Sequence, residues 1–150
     1  MKDFKTIVVP IDGSQHAMTA LDYAVSLAQT YHAILVLVHV IDLNIHMTPL
    51  EQVTSTGPNL VPEELKTGGL KLLAAARRQI PLELRSESIL ETGVPAERIL
   101  LITRAKKADL IVMGSRGLSP LKQIFLGSVS QQLLDHAACP VMLVRGQVTE

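Results

Sequence analysis

Apolar positions along the chain follow two rhythms. Thr6-Ile7-Val8-Val9-Pro10-Ile11 is a short, nearly continuous run rich in β-branched residues, as expected of a strand covered on both faces. It stops at Asp12-Gly13-Ser14, where Ser14 can cap a helix whose apolar positions Ala17, Ala20, Leu21, Ala24, Val25 and Ala28 recur at helical spacing. Ala33 to Val40 repeats the buried-strand pattern, long enough for the centre of a parallel sheet. Pro62 followed by Glu63 and Glu64 opens a second helix, with Leu65, Leu72, Leu73 and Ala76 inward and an end near Arg78. Leu82, Leu84, Ser86, Ser88 and Leu90 then alternate with Glu83, Arg85 and Glu87, which predicts a third strand with one wetter face, as at a sheet edge. Gly93 to Glu97 opens a third helix through Ile99, Leu100 and Ile102, and Leu110-Ile111-Val112-Met113 is a fourth buried strand. Val129, Leu133 and Ala137 mark a fourth helix, and Pro140 introduces a last strand, Val141 to Val144. The strict alternation predicts an α/β fold, a parallel sheet flanked by helices, as one domain over residues 1–150.

From Asp42 to Val61 no period is sustained. A connection of about twenty residues exceeds the usual four to six, so this stretch is expected to be a lid, a binding loop or a mobile segment. The 150 residues are 47% apolar, enough for a core without a disulfide or metal staple. The single cysteine, Cys139, has no internal partner and points to a reducing cytoplasm. Fourteen basic side chains against fourteen acidic ones leave no broad positive field, which argues against a nucleic-acid or anionic-membrane partner. No apolar run approaches the eighteen or so residues of a membrane span, and Met1 to Lys5 lead into only about six apolar residues, so neither a span nor a secretory signal is expected.

In a sheet of this kind ligands sit beyond the carboxyl ends of the strands. Three segments should meet there: Pro10 to Ser14, Val40 to Asp42, and Met113 to Ser130. The last contains Gly114-Ser115-Arg116-Gly117, then nine residues, then Gly127-Ser128-Val129-Ser130 at a helix start. Glycines admit close backbone approach, free amides at a helix N-terminus favour an anion such as phosphate, serines add hydroxyls and Arg116 a planar cation. The competing structural reading is turn glycines plus a capping serine. The five histidines, His16, His32, His39, His46 and His136, lack metal-ligand spacing and read as surface or strand residues. Lys122 reads as a solvated lysine, and Cys139 as a packed thiol with no evident base beside it.

The pattern Gly114-x2-Gly117-x9-Gly127-Ser128, with Val9 to Ser14 and Ala138-Cys139-Pro140-Val141, resembles the universal stress protein family in its nucleotide-binding branch. The resemblance covers nearly the whole chain and implies a five-stranded parallel sheet in the order 3-2-1-4-5, a Rossmann-like fold of the adenine nucleotide alpha hydrolase type. It also implies binding of ATP or AMP; whether Mg2+ accompanies ATP is left open, because no independent ligand cluster is visible in the sequence. By matched position, Asp12 would lie beside the adenosine, Pro10 and Ile11 would form the adenine wall, and the Val40 backbone would meet the adenine edge. Met113 would pack near sugar or base, Gly114, Arg116 and Gly117 would approach ribose and phosphates, and Gly127, Ser128, Val129 and Ser130 would hold the phosphates. A homodimer through the edge strand Val141 to Val144 is implied as well, and a proline at Met142 is expected to break it.

A dedicated nucleotide hydrolase is not indicated, because the chain has no G-x-x-x-x-G-K-[ST] loop and Asp12 is the obvious carboxylate at the site. The Asp12-Gly13-Ser14 turn also lacks the G-x-G-x-x-G crossing of a dinucleotide enzyme. A receiver domain would need an aspartate after strand three and a lysine after strand five, where this chain has Glu91-Thr92 and Arg145-Gly146. With these set aside, what the resemblance implies is a nucleotide-dependent signalling module that acts in stress. A weak ATPase or phosphotransfer protein is the alternative, and a dimer stabilised by nucleotide as a folding ligand is a third reading.

Overall fold

The computed structural model describes residues 3–54, 61–115 and 126–145. Five strands, β1 (Thr6–Pro10), β2 (Ile34–Ile41), β3 (Ser86–Thr92), β4 (Leu110–Gly114) and β5 (Val141–Val144), form a parallel sheet in the order β3-β2-β1-β4-β5. This is the predicted order. Alternating side chains send Ile7, Val9, Leu35 and Leu37 into one core and Val8, Val36, Val38, Ile111 and Met113 into the other. Helices α1 (Gln15–Tyr31) and α4 (Glu63–Arg77) cover the first face, and α5 (Pro95–Ala105) and α6 (Ser128–His136) cover the second. The inner face of α1 is mostly alanine, with Ala17, Ala20, Ala24 and Ala28 buried, so its backbone comes close to β1 and β4. At the opposite end of the sheet, Asp109 Oδ2 accepts from the amides of Lys5 (2.8 Å) and Thr6 (3.0 Å), which ties the start of β1 to that of β4.

Two expectations need correction. The third strand begins at Ser86, not Leu82, because Leu84 N–H closes a turn onto Pro81 O (3.0 Å) and Leu82 points wholly into solvent. The alternating pattern simply runs on past the point where pairing with Leu35 starts the strand. The stretch after β2 is also more ordered than its lack of period suggests, since it holds α2 (Leu43–His46) and α3 (Pro49–Thr54). Asp42 Oδ1 caps the first of these through Asn44 N–H at 3.0 Å. Thr48 and Glu51 form a reciprocal capping box at the second, with 2.6 and 3.2 Å contacts. Helices this short leave no periodicity to detect, but Thr48-Pro49-Leu50-Glu51 carries the capping signature in its letters. Residues 55–60 lie outside the described structure.

Helix α4 carries two adjacent interior glycines with opposite surroundings. A Cβ on Gly69 would lie 2.7 Å from Leu90 Cδ1 and 3.0 Å from His39 Cδ2, whereas one on Gly68 would meet nothing within 4 Å. Gly68→Ala is therefore expected to stabilise the protein by about 0.5–1 kcal/mol through helix propensity, and Gly69→Ala to destabilise it by about 1–3 kcal/mol through overpacking. Urea unfolding of the two variants checks the opposite signs.

Candidate functional site

The sheet opens at its carboxyl end, where β1 stops first. Ile11 N–H donates to Val38 O at 2.7 Å, and the chain then turns through Asp12-Gly13-Ser14. Asp12 Oδ1 accepts from Ser14 N–H (2.9 Å) in an Asx-turn, and Ser14 Oγ accepts from Ala17 N–H (3.1 Å) as the cap of α1. Gly13 sits at φ +83, which favours glycine, with Leu72 Cδ2 3.0 Å from where a Cβ would be. One carboxylate oxygen of Asp12 thus builds the turn, and the other has no partner among the described residues.

Val40 lies beyond this opening. In a parallel strand the backbone groups of successive residues face opposite neighbours. Ile34 N–H and Val38 O bond toward β1, while Leu35 N–H and Ile41 O bond toward β3. Val40 shares the parity of Ile34 and Val38, so its N–H and C=O face the β1 side, past the end of β1. Among the described residues neither group has a hydrogen-bond partner. Ile11 O, which the ladder would offer to Val40 N–H, instead lies 2.6 Å from His39 Nδ1.

On the other flank, β4 ends at Gly114 and α6 begins after Gly127. The first bond within α6 runs from Gln131 N–H to Gly127 O at 3.0 Å, which leaves the amides of Ser128, Val129 and Ser130 without helical acceptors. Gly127 N–H is spent on Ser115 O (3.0 Å), and its φ of −63 is open to any residue. Ser130 was expected to offer a phosphate both amide and hydroxyl. Its side chain is 2% exposed, with the one hydroxyl proton facing Gly114 O and Ser115 O, each at 3.2 Å. What Ser130 has free is its amide. Gly114 has a packing reason of its own, because a Cβ there would lie 2.7 Å from His16 Cβ, 2.8 Å from His16 C and 3.0 Å from Ala17 N.

These flanks enclose a cavity of about 900 Å³. Pro10, Ile11, Asp12, Val40, Met113, Gly114, Gly127, Ser128, Val129 and Ser130 all line it, so the expected residues within the described structure converge on one place. Arg116, Gly117 and Lys122 lie outside the described residues. Asp42 and, in the stretch expected as a lid or binding loop, Ile45 and His46 of α2 line the cavity too, whereas pattern reading missed the third wall, which α4 builds with Glu64, Leu65, Gly68, Gly69 and Leu72, together with His39. Two consecutive glycines inside a helix were the available signal. The walls differ in charge. Asp12, Asp42 and Glu64 stand on the β1, β2 and α4 side, and the positive N-terminus of α6 stands across from them. An anion is therefore directed to α6, and hydroxyl or amine donors to the carboxylate side.

Cys139 is half-buried, and that burial, reinforced by the Asp109 carboxylate, pushes its thiol above the ordinary range. This is the packed thiol expected from its sequence context. Among the described residues, no group of three or more His, Cys, Asp or Glu could hold a metal ion, and no helix is long and apolar enough to cross a membrane.

The sequence model for the universal stress protein family matches residues 3–145. The chain belongs to the universal stress protein family. Among family members it is 37% identical over 147 residues to the universal stress protein YxiE of Bacillus subtilis, covering 95% of this chain and 99% of that one. Its fold matches universal stress protein UspA from Lactobacillus plantarum with a TM-score of 0.80 at 25% identity, over 97% of this chain and 100% of that one. A universal stress protein family structure from Arabidopsis thaliana with AMP bound has the same fold, at TM-score 0.66 and 22% identity, over 96% of this chain and 93% of the other.

Proposed function

We propose that this universal stress protein binds an adenine nucleotide, ATP or AMP, in the cavity, and that occupancy is the signal it passes on in the cytoplasm under stress. One observation carries the reading: a donor and an acceptor on Val40, unpaired among the described residues, face the same cavity as three amides at the start of α6 that have no acceptor among those residues. Adenine offers the matching acceptor at N1 and donor at N6, and a phosphate suits a helix N-terminus. The free carboxylate oxygen of Asp12 suits a ribose hydroxyl, and the apolar sides of Pro10, Ile11 and Met113 suit the base. Gly114 and Gly127 complete the phosphate side. With ATP, Mg2+ would enter on the triphosphate. The physical mechanism is a population shift in which nucleotide favours the ordered form of the walls it touches. Amide exchange measured with and without AMP is expected to slow at Val40 and Ser128–Ser130 on binding. Unchanged exchange at both places removes the reading.

The same account pairs two copies through β5, which bonds to β4 on one side and lies at the end of the sheet. Here the structure redirects the test. Ile111 N–H bonds to Pro140 O and Ser115 N–H to Val144 O, so even-numbered residues of β5 face β4, and Met142 N–H with them. A proline at Met142 would damage the sheet itself. The Leu143 N–H faces away from β4, so Leu143→Pro is expected to give a folded monomer by sedimentation velocity, and a Leu143→Pro dimer would exclude this edge.

A further inference from the structure

We propose that His39 is a positioning residue for the adenine edge, holding Ile11 O so that the next rung of the β1–β2 ladder stays open and Val40 N–H is left for a ligand. The inference rests on the nucleotide reading above for its function, but its structural half stands alone. The β1–β2 register runs from Thr6↔Ile34 to Pro10↔Val38, and Ile11 N–H adds one more bond to Val38 O. Continued by a single step, the ladder would close Val40 N–H onto Ile11 O. That carbonyl instead lies 2.6 Å from His39 Nδ1. A carbonyl only accepts, so Nδ1 carries the proton and the imidazole is the donor.

The ring is seated from above by α4. Its Cδ2 occupies the space beside Gly69, 3.0 Å from where a Cβ would be, so a side chain on α4 at this point would push against it. Gly69 leaves room for the His39 ring and for Leu90 Cδ1, 2.7 Å from the same Cβ position, which explains why a helix keeps a residue of low propensity there. The His39 contact matters because Val40 can serve one acceptor well: if its amide turned inward to Ile11 O, adenine N1 would lose its donor.

The test compares His39→Asn and His39→Leu in the full chain. The side-chain nitrogen of asparagine stands as far from Cβ as Nδ1 does and can donate to the same carbonyl, whereas leucine matches the branching without a donor. In the ligand-free protein, Val40 amide exchange by NMR is expected to be fast in the native sequence and in His39→Asn, and about tenfold slower in His39→Leu as the rung closes. By calorimetry, AMP affinity is expected to fall about tenfold in His39→Leu, the loss of one hydrogen bond, and to be kept in His39→Asn. The 1-deaza analogue of AMP, which lacks N1, is expected to bind native protein and His39→Leu alike. Should His39→Leu fail to fold, His39→Val, which also lacks a donor and suits a strand, is expected to slow Val40 exchange in its place.

Unchanged Val40 exchange in the variant lacking the donor overturns the proposal. So does an equal loss of AMP affinity in His39→Asn and His39→Leu, which would assign His39 to packing. If the native protein binds no AMP, the nucleotide reading fails and the adenine role with it, while Val40 exchange still reports separately whether His39 holds the ladder open.

Discussion

Replacing Gly127 with aspartate is expected to raise the melting temperature of the protein and at the same time reduce its affinity for AMP by at least about 100-fold. Both effects come from the same three amides. Gly127 is the cap of α6, with extended backbone angles and no side chain to accept from the amides of Ser128, Val129 and Ser130. An aspartate fits those angles, caps the helix and adds a negative charge at the positive end of its dipole, together about 0.5–1 kcal/mol. In a protein of this size that corresponds to a rise of about 1–4 °C. A phosphate arriving at the same place meets an occupied cap and a like charge. Two charge-assisted hydrogen bonds lost, at about 1.5–3 kcal/mol each, exceed the 100-fold threshold. Thermal unfolding and calorimetric titration of the single variant check the two signs together. Raised stability with unchanged affinity would show that the anion binds elsewhere, and lowered stability would show that Gly127 has a packing role beyond the cap.

Gly114→Ala is expected to act in the opposite way, destabilising the fold by about 1–3 kcal/mol or more. The atoms that would collide with the new methyl include the His16 carbonyl carbon and the Ala17 nitrogen, both main chain in the first turn of α1. No rotamer change relieves that collision. Either α1 lifts from β4 or β4 shifts within the sheet, and both its neighbours, β1 and β5, resist. The loss corresponds to about 2–12 °C in melting temperature. Because the same displacement moves Ser14, Ala17 and the end of β4, nucleotide affinity should fall as well. Unfolding by heat and by urea should agree in rank, and a variant as stable as the native protein would show that α1 is not held this close to the sheet.

The two glycines show how far the sequence could be read. Both belong to the spaced pattern Gly114-x2-Gly117-x9-Gly127, and both line the cavity as expected. Their reasons differ, and the letters do not reveal which is which. Gly114 answers to a helix nearly a hundred residues earlier in the chain, a long-range contact that no local pattern encodes. The strands were legible where they are buried on both faces, because continuous apolar runs such as Ile34 to Val38 leave few alternatives. At the exposed edge the reading slipped: the Leu82 alternation continued into a turn, where burial no longer constrains the pattern. The third wall of the cavity stayed hidden for a related reason. His39 sits in a strand and Gly68 and Gly69 in a helix, so each looked like scaffold until α4 packed across the end of β2. Ser130 shows the reverse case, a residue that lines the cavity but whose hydroxyl is turned to the backbone that shapes it.

The nucleotide reading is tested most directly by calorimetric titration of nucleotide-stripped protein with AMP, ATP and GTP, each with and without Mg2+, alongside Gly127→Asp. The account predicts saturable binding of one nucleotide per chain, adenine preferred over guanine because guanine presents a donor at N1 to the Val40 N–H, and binding abolished in the variant. Equal binding of GTP and ATP would contradict recognition at Val40. No heat from any of the three would contradict the nucleotide site itself.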